Sequence, residues 1–119
     1  MSPSWAPAPT EDDVRDAGWF LQLLDVPGPI TVDPTQQAYQ AKDLLRAARL
    51  PVLSKVNAGV RKWTKRLRGG DPLPPVLLLV GSLDRDRPLI IAEGYHRVCA
   101  CYLSDEQTMV ECHFLAVGR

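Results

Sequence analysis

The chain has 119 residues, enough for one domain with a modest core, and its 45% apolar content is that of a soluble globular protein. Acidic and basic side chains number 14 each, which excludes an overall field drawing the protein to nucleic acid or an anionic membrane, so any basic surface must be local. No stretch approaches the roughly 20 apolar residues of a membrane span, Met1 to Pro7 lacks the basic start and apolar run of a secretory signal, and Cys99, Cys101 and Cys112 lack the C-x-x-C pairing of zinc or thioredoxin-like sites; a cytoplasmic protein with reduced, mostly buried thiols is expected.

Residues 1–10, rich in Pro, Ser and Ala, read as a flexible tail. Thr10 and Asp13 form a helix-capping pair, and Val14, Ala17, Leu21 and Leu24 recur at helical spacing until Pro27-Gly28-Pro29, which places an amphipathic helix within 11–28. Trp19 and Phe20 lie beside its apolar stripe, so this helix either packs broadly on the domain or meets a second subunit as a homodimer. Ile30-Thr31-Val32 is a short β-prone run, after which Asp33-Pro34 predicts the N-cap and first turn of a helix bearing Ala38, Ala41, Leu45 and Ala48, closed by Pro51.

From about Asn57, the stripe Val60, Trp63 and Leu67 predicts a third helix ending at Gly69-Gly70. Its polar face carries Arg61, Lys62, Lys65, Arg66 and Arg68, with Lys55 upstream: a solvated face, a surface that tracks nucleic-acid phosphates, or a charged wall for a nucleotide's tail. Trp63, on the apolar stripe, reads as core rather than as a base-stacking platform. Two continuous apolar runs, Val76 to Val80 and Leu89 to Ala92, are buried strands joined by a polar turn over Gly81 to Arg87. Tyr95 to Leu103 suits a helix and Thr108 to Val117 a final strand. This order predicts an α+β domain, a small sheet packed with several helices.

The chemistry-bearing joint is Ile90-Ile91-Ala92-Glu93-Gly94-Tyr95-His96-Arg97-Val98. A buried strand running into a helix through one glycine leaves the first helical N–H groups unpaired, and the helix dipole adds positive charge, which together make an anion site. Gly94 lets a ligand approach the backbone, Arg97 offers a donor fork for phosphate, and His96 donates a hydrogen bond or moves a proton near neutral pH. Spacing also allows Arg97 to pair only with Glu93 or Asp105, and His96 to be a satisfied interior side chain. Glu93 reads as a metal or general-base carboxylate or as a salt-bridged loop residue, and Tyr95 as a stacking platform or a shield. Cys99, near the start of this helix, reads as a small packing group with a depressed thiol pKa as the alternative, and His113 as a strand residue.

The stretch Pro74-Pro75-Val76-Leu77-Leu78-Leu79-Val80, followed by Pro88 to Ala100, resembles the core of the ParB N-terminal and sulfiredoxin superfamily, whose members share a proline, an apolar strand, a turn, a second strand and an acidic-Gly-x-His/Arg-Arg-x-x-Ala pattern. The resemblance spans about residues 29–117 and is specific at Glu93 to Ala100. It implies that 29–119 is a ParB/sulfiredoxin-like domain with a small mixed sheet. It also implies a nucleotide, ATP or CTP, with its phosphates at the start of the Tyr95 helix, contacted by Gly94, Tyr95, His96 and Arg97. Tyr95 stands where sulfiredoxins carry the reactive cysteine, which removes thiol chemistry. The chain stops at Arg119, just past the last strand, which reads against chromosome partition. Free-serine kinases share an Asp-Gly-His-His-Arg type of motif, from which Glu93-Gly94-Tyr95-His96-Arg97 departs at two positions.

Three functions follow as expectations. One is an NTP hydrolase or small-molecule phosphotransferase using Glu93, His96 and Arg97, with Mg²⁺ sharing the charge neutralisation. The second is a non-catalytic nucleotide-sensing or protein-interaction module. A ParB-like nuclease is third, since no carboxylate cluster for two metals is evident.

Overall fold

A computed structural model describes residues 2–26, 28–80 and 89–117. Helix α1 (Glu11–Leu23) starts as its capping pair dictates, the Thr10 hydroxyl accepting from the Asp13 N–H at 3.0 Å. Its stripe is the predicted one: Ala17 and Leu21 are buried with Val14 and Leu24 beside them. Pro27, expected to stop the helix, lies outside the described residues. The helix already ends before it, with Asp25 at φ 59 and the Val26 N–H bonded to the Leu21 carbonyl at 2.9 Å.

Strand β1 (Ile30–Val32) forms as expected. The stretch after it does not. Asp33 turns the chain by accepting the Thr35 N–H at 2.9 Å, and residues 37–40 form strand β2 (Gln37–Gln40) instead of the first turns of a helix. The reason is tertiary: β5 (Met109–Val117) offers an edge on which Gln37 pairs with Cys112 and Gln40 with Met109, and Tyr39 meets Phe114 edge-on at 6.2 Å. Helix α2 (Ala41–Ala48) therefore begins at Ala41 and buries Ala41, Leu44, Leu45 and Ala48.

Helix α3 (Ala58–Arg68) is capped by Asn57, whose side-chain oxygen accepts from Gly59 and Val60 N–H. Strands β3 (Val76–Val80) and β4 (Leu89–Glu93) are the two apolar runs, and the turn expected between them lies outside the described residues. Helix α4 (Tyr95–Ser104) follows β4 directly, and β5 closes the chain. The sheet runs β1-β5-β3-β4, with β2 on β5 as well. Among the described strands only β3 and β5 pair in parallel, so the sheet is mixed.

Both sheet faces are covered, which is why β3 and β4 read as unbroken apolar runs. Leu77, Ile90, Ala92 and Leu115 face α1. Val76, Leu78, Ile91, Val110 and Cys112 face α2, α3 and α4, and each fully buried leucine contributes roughly 1.5–3 kcal/mol. The described structure is thus a compact α+β domain with a mixed five-stranded sheet and four helices. The segment read as a flexible tail is tied at residues 4–6: Leu73 N–H donates to the Ser4 carbonyl and Ala6 N–H to the Leu73 carbonyl, both at 2.8 Å, while Trp5 packs against the core.

Candidate functional site

Just before Gly94, β4 advances two residues, Ile91 to Glu93, against one step of β3, Leu78 to Leu77. This bulge and Gly94, at φ 111, swing the chain from strand to helix. Gly94 is packed so closely that a Cβ there would lie 2.9 Å from Val76 Cγ2. The first helical bond of α4 is Val98 N–H to the Gly94 carbonyl, and among the described residues no side chain caps the turn. Helix geometry therefore leaves the N–H groups of Tyr95, His96 and Arg97 without intrahelical acceptors.

The side chains of this turn diverge. His96 is exposed, its ring laid against Gly59 at the start of α3, where a Cβ would come within 2.5 Å of His96 Cδ2. Tyr95 is half-buried, and its hydroxyl donates to the Pro51 carbonyl. The Leu53 N–H donates to Cys99 Sγ at 3.4 Å, so the segment after α2 is held against the first two turns of α4.

Arg97 points inward and is 1% exposed. Its Nη1 donates to the Pro74 and Pro75 carbonyls at 2.8 and 3.2 Å, and its Nη2 faces Asp13 Oδ2 at 3.3 Å and Glu93 Oε1 at 3.6 Å. Its guanidinium lies 4.3 Å above the Trp63 ring, which Arg66 and Lys62 also approach at 4.9 and 5.0 Å. Nε is buried with no acceptor among the described residues. Burial pulls the guanidinium below its usual range, and Asp13 and Glu93 oppose that. Glu93 is pushed up, first by burial and then by the neighbouring Asp13, with Arg97 holding it back.

The predicted site residues are therefore contiguous in the chain but split in space. Glu93 and Arg97 meet, as the ion-pair reading required, while His96 and Arg97 face different surroundings. The donor fork expected to greet phosphate is already engaged with protein. Asp13 and Trp63 are the partners that sequence reasoning missed. Asp13 was legible only as half of a cap, and nothing in its spacing to Arg97 marks an 84-residue contact. Asp105, the other proposed partner of Arg97, instead binds the Gln107 N–H at 2.9 Å.

The remaining candidates resolve simply. His113 is buried, its Nδ1 at 2.8 Å from the Asp33 carbonyl and its Nε2 at 3.0 Å from the Gln36 side chain. All three cysteines are buried and unpaired, and burial pushes the Cys99 thiol up, against the depressed value considered for it. Among the described residues, no group of three or more His, Cys, Asp or Glu side chains is placed to hold a metal ion, and no helix is long and apolar enough to cross a membrane. No protein-family model, curated protein or solved structure matches the chain at a significant level.

Proposed function

We propose that this chain is a ParB/sulfiredoxin-like domain that binds a phosphate-bearing ligand, ATP or CTP being the first candidates, on the backbone N–H groups of Tyr95, His96 and Arg97 at the start of α4. One observation carries this reading: among the described residues the α4 turn has no side-chain cap, and the exposed His96 stands at it as a further donor. Arg97 acts as the internal brace that sets the turn's position, not as a phosphate ligand. A binding or sensing role fits better than phosphoryl transfer, because the fork that would neutralise a transferring phosphoryl group is held by Asp13, Glu93 and two carbonyls. Mg²⁺ would arrive on the nucleotide's own phosphates, since the two nearest carboxylates are already paired with Arg97.

Thermal melting with ATP, CTP, GTP, ADP and pyrophosphate, each with and without Mg²⁺, tests the reading. A ligand at a hundred times its Kd adds about 2.7 kcal/mol, or about 10 °C for a chain of this size. His96→Glu places a fixed anion at the helix start, should fold as well as the wild type, and should abolish the shift. No shift with any ligand refutes the reading, and an undiminished shift in His96→Glu moves the site elsewhere.

A second reading, a protein-interaction module that docks a second copy through α1, is favoured by Trp19 and Leu23, which are 71% and 76% exposed on one side of the helix with the partly exposed Phe20 flanking them. Sedimentation of the wild type against Trp19→Ser/Leu23→Ser decides it: a dimer that dissociates in the variant supports docking, and a wild-type monomer at high concentration rejects it.

A further inference from the structure

The outer face of α3 holds a surface groove of about 720 Å³, lined by Lys55, Val56, Ala58, Arg61, Lys62, Thr64, Lys65 and Arg68. Five of these eight residues are cations, none is acidic, and all five cations are exposed. None of the five forms an ion pair among the described residues. In a chain of zero formal net charge this is a segregated positive surface, not the overflow of a basic protein.

A solvated helix face does not account for it. The helix dipole favours Lys65 and Arg68, which lie in the last turn, but gives no such support to Lys55, Arg61 and Lys62, and the first turn of α3 has no acidic residue to offset them. Arg61 and Lys65 are four apart, Lys62 and Lys65 three apart, and Lys65 and Arg68 three apart, each a like-charge neighbour pair that destabilises the free helix. A polyanion relieves that repulsion. Arg61, Lys65 and Arg68 climb the helix by about one turn each, roughly 5 Å, and so present a row of donors rather than a single focus.

We infer that the α3 groove is a sequence-independent binding site for the phosphate backbone of duplex nucleic acid. Single-stranded binding relies on aromatic platforms, and the groove has none, the Trp63 ring being occupied by Arg97 and Arg66. A membrane surface calls for large apolar side chains beside the cations, and this face offers only Val56 and Ala58. Neither Tyr95 nor His96 lines the groove, although His96 rests on the neighbouring Gly59, and the row of cations stands whether or not α4 binds a ligand.

Fluorescence anisotropy with two 24-base-pair DNA duplexes of unrelated sequence and a duplex RNA, from 50 to 200 mM salt, is the test. Four or five phosphate contacts predict a log–log salt slope of about −4 and a loss of affinity of a few hundredfold over that range, alike for both sequences. Arg61→Gln/Lys65→Gln/Arg68→Gln should reduce the slope to about −1 to −2, while Arg15→Gln, which removes an exposed cation from α1 on the other face of the sheet, leaves it unchanged. Removing unpaired like charges from an exposed face keeps the fold, which circular dichroism checks. Lys65→Gln and Arg68→Gln alone, each lowering the slope by about 0.9, provide the same test in single variants. Absent duplex binding at 50 mM salt, tighter binding to an unstructured single strand, binding to phosphatidylserine vesicles in place of duplex, or an unchanged slope in the triple variant overturns the inference.

Discussion

Arg97 brings a positive charge to a place that is 1% exposed, and its partners come from four separate parts of the chain: Asp13 in α1, Trp63 in α3, the Pro74-Pro75 carbonyls ahead of β3, and Glu93 in β4. Two prolines in succession have no N–H to engage in a ladder, and their buried carbonyls need donors, which the guanidinium supplies. Arg97→Met strips the partners from two carboxylates and two carbonyls at once and should cost about 3 kcal/mol in urea unfolding, whatever ligand is present. Glu93 has the opposite pH signature to a surface carboxylate. Its folded-state pKa lies above the ordinary 4.5 because burial, Asp13 and Asp16 outweigh Arg97 and Lys62. Its contribution to stability is thus fully present below 4.5 and is lost as pH rises through the raised folded value. Urea midpoints from pH 4.5 to pH 7 should therefore fall relative to those of Glu93→Gln. A parallel pH dependence in the two proteins would show that Glu93 is not perturbed.

At the scale of elements, the α3 and α4 starts form one unit, with His96 of one helix resting on Gly59 of the other. Asn57 holds the α3 start through two N–H groups, and Asn57→Ala should cost about 1 kcal/mol in chemical denaturation. Gly94 meets two constraints at once, a positive φ and contact with Val76. Gly94→Ala should cost about 3 kcal/mol, combining left-handed strain with overpacking, and an unperturbed melting curve would contradict this geometry. The contrast between α1 and β2 shows what local pattern can convey. Thr10 and Asp13 start α1 by contacts three residues apart, so the cap is readable from the chain. Residues 37–40 are compatible with helix and become strand only because β5, some 70 residues later, presents an edge.

For the whole molecule, the two-sided core explains the chemistry of the thiols. Cys101 and Cys112 are enclosed between the sheet and its helices, and burial pushes both up to about 12. With Cys99 also enclosed, a thiol reagent such as DTNB should label fewer than one cysteine per native chain and all three after unfolding. Fast labelling of the native protein would mean that the core opens. Most of the architecture was legible: the five strand and helix runs from Val60 onward, the α1 stripe, and the Gly94 turn all follow from periodicity and from glycine's backbone freedom, which are local properties. The destination of Arg97 was not, because an arginine three residues into a helix can turn outward to a phosphate or inward to a carboxylate with the same sequence around it. By itself the sequence determined that a strand passes through Gly94 into a helix whose first N–H groups are uncapped, since sterics and hydrogen-bond geometry act within a few residues. Only the tertiary structure decided that Asp13 and Trp63 close around Arg97 while His96 stays outside, because burial and charge pairing depend on which distant segments the sheet brings together.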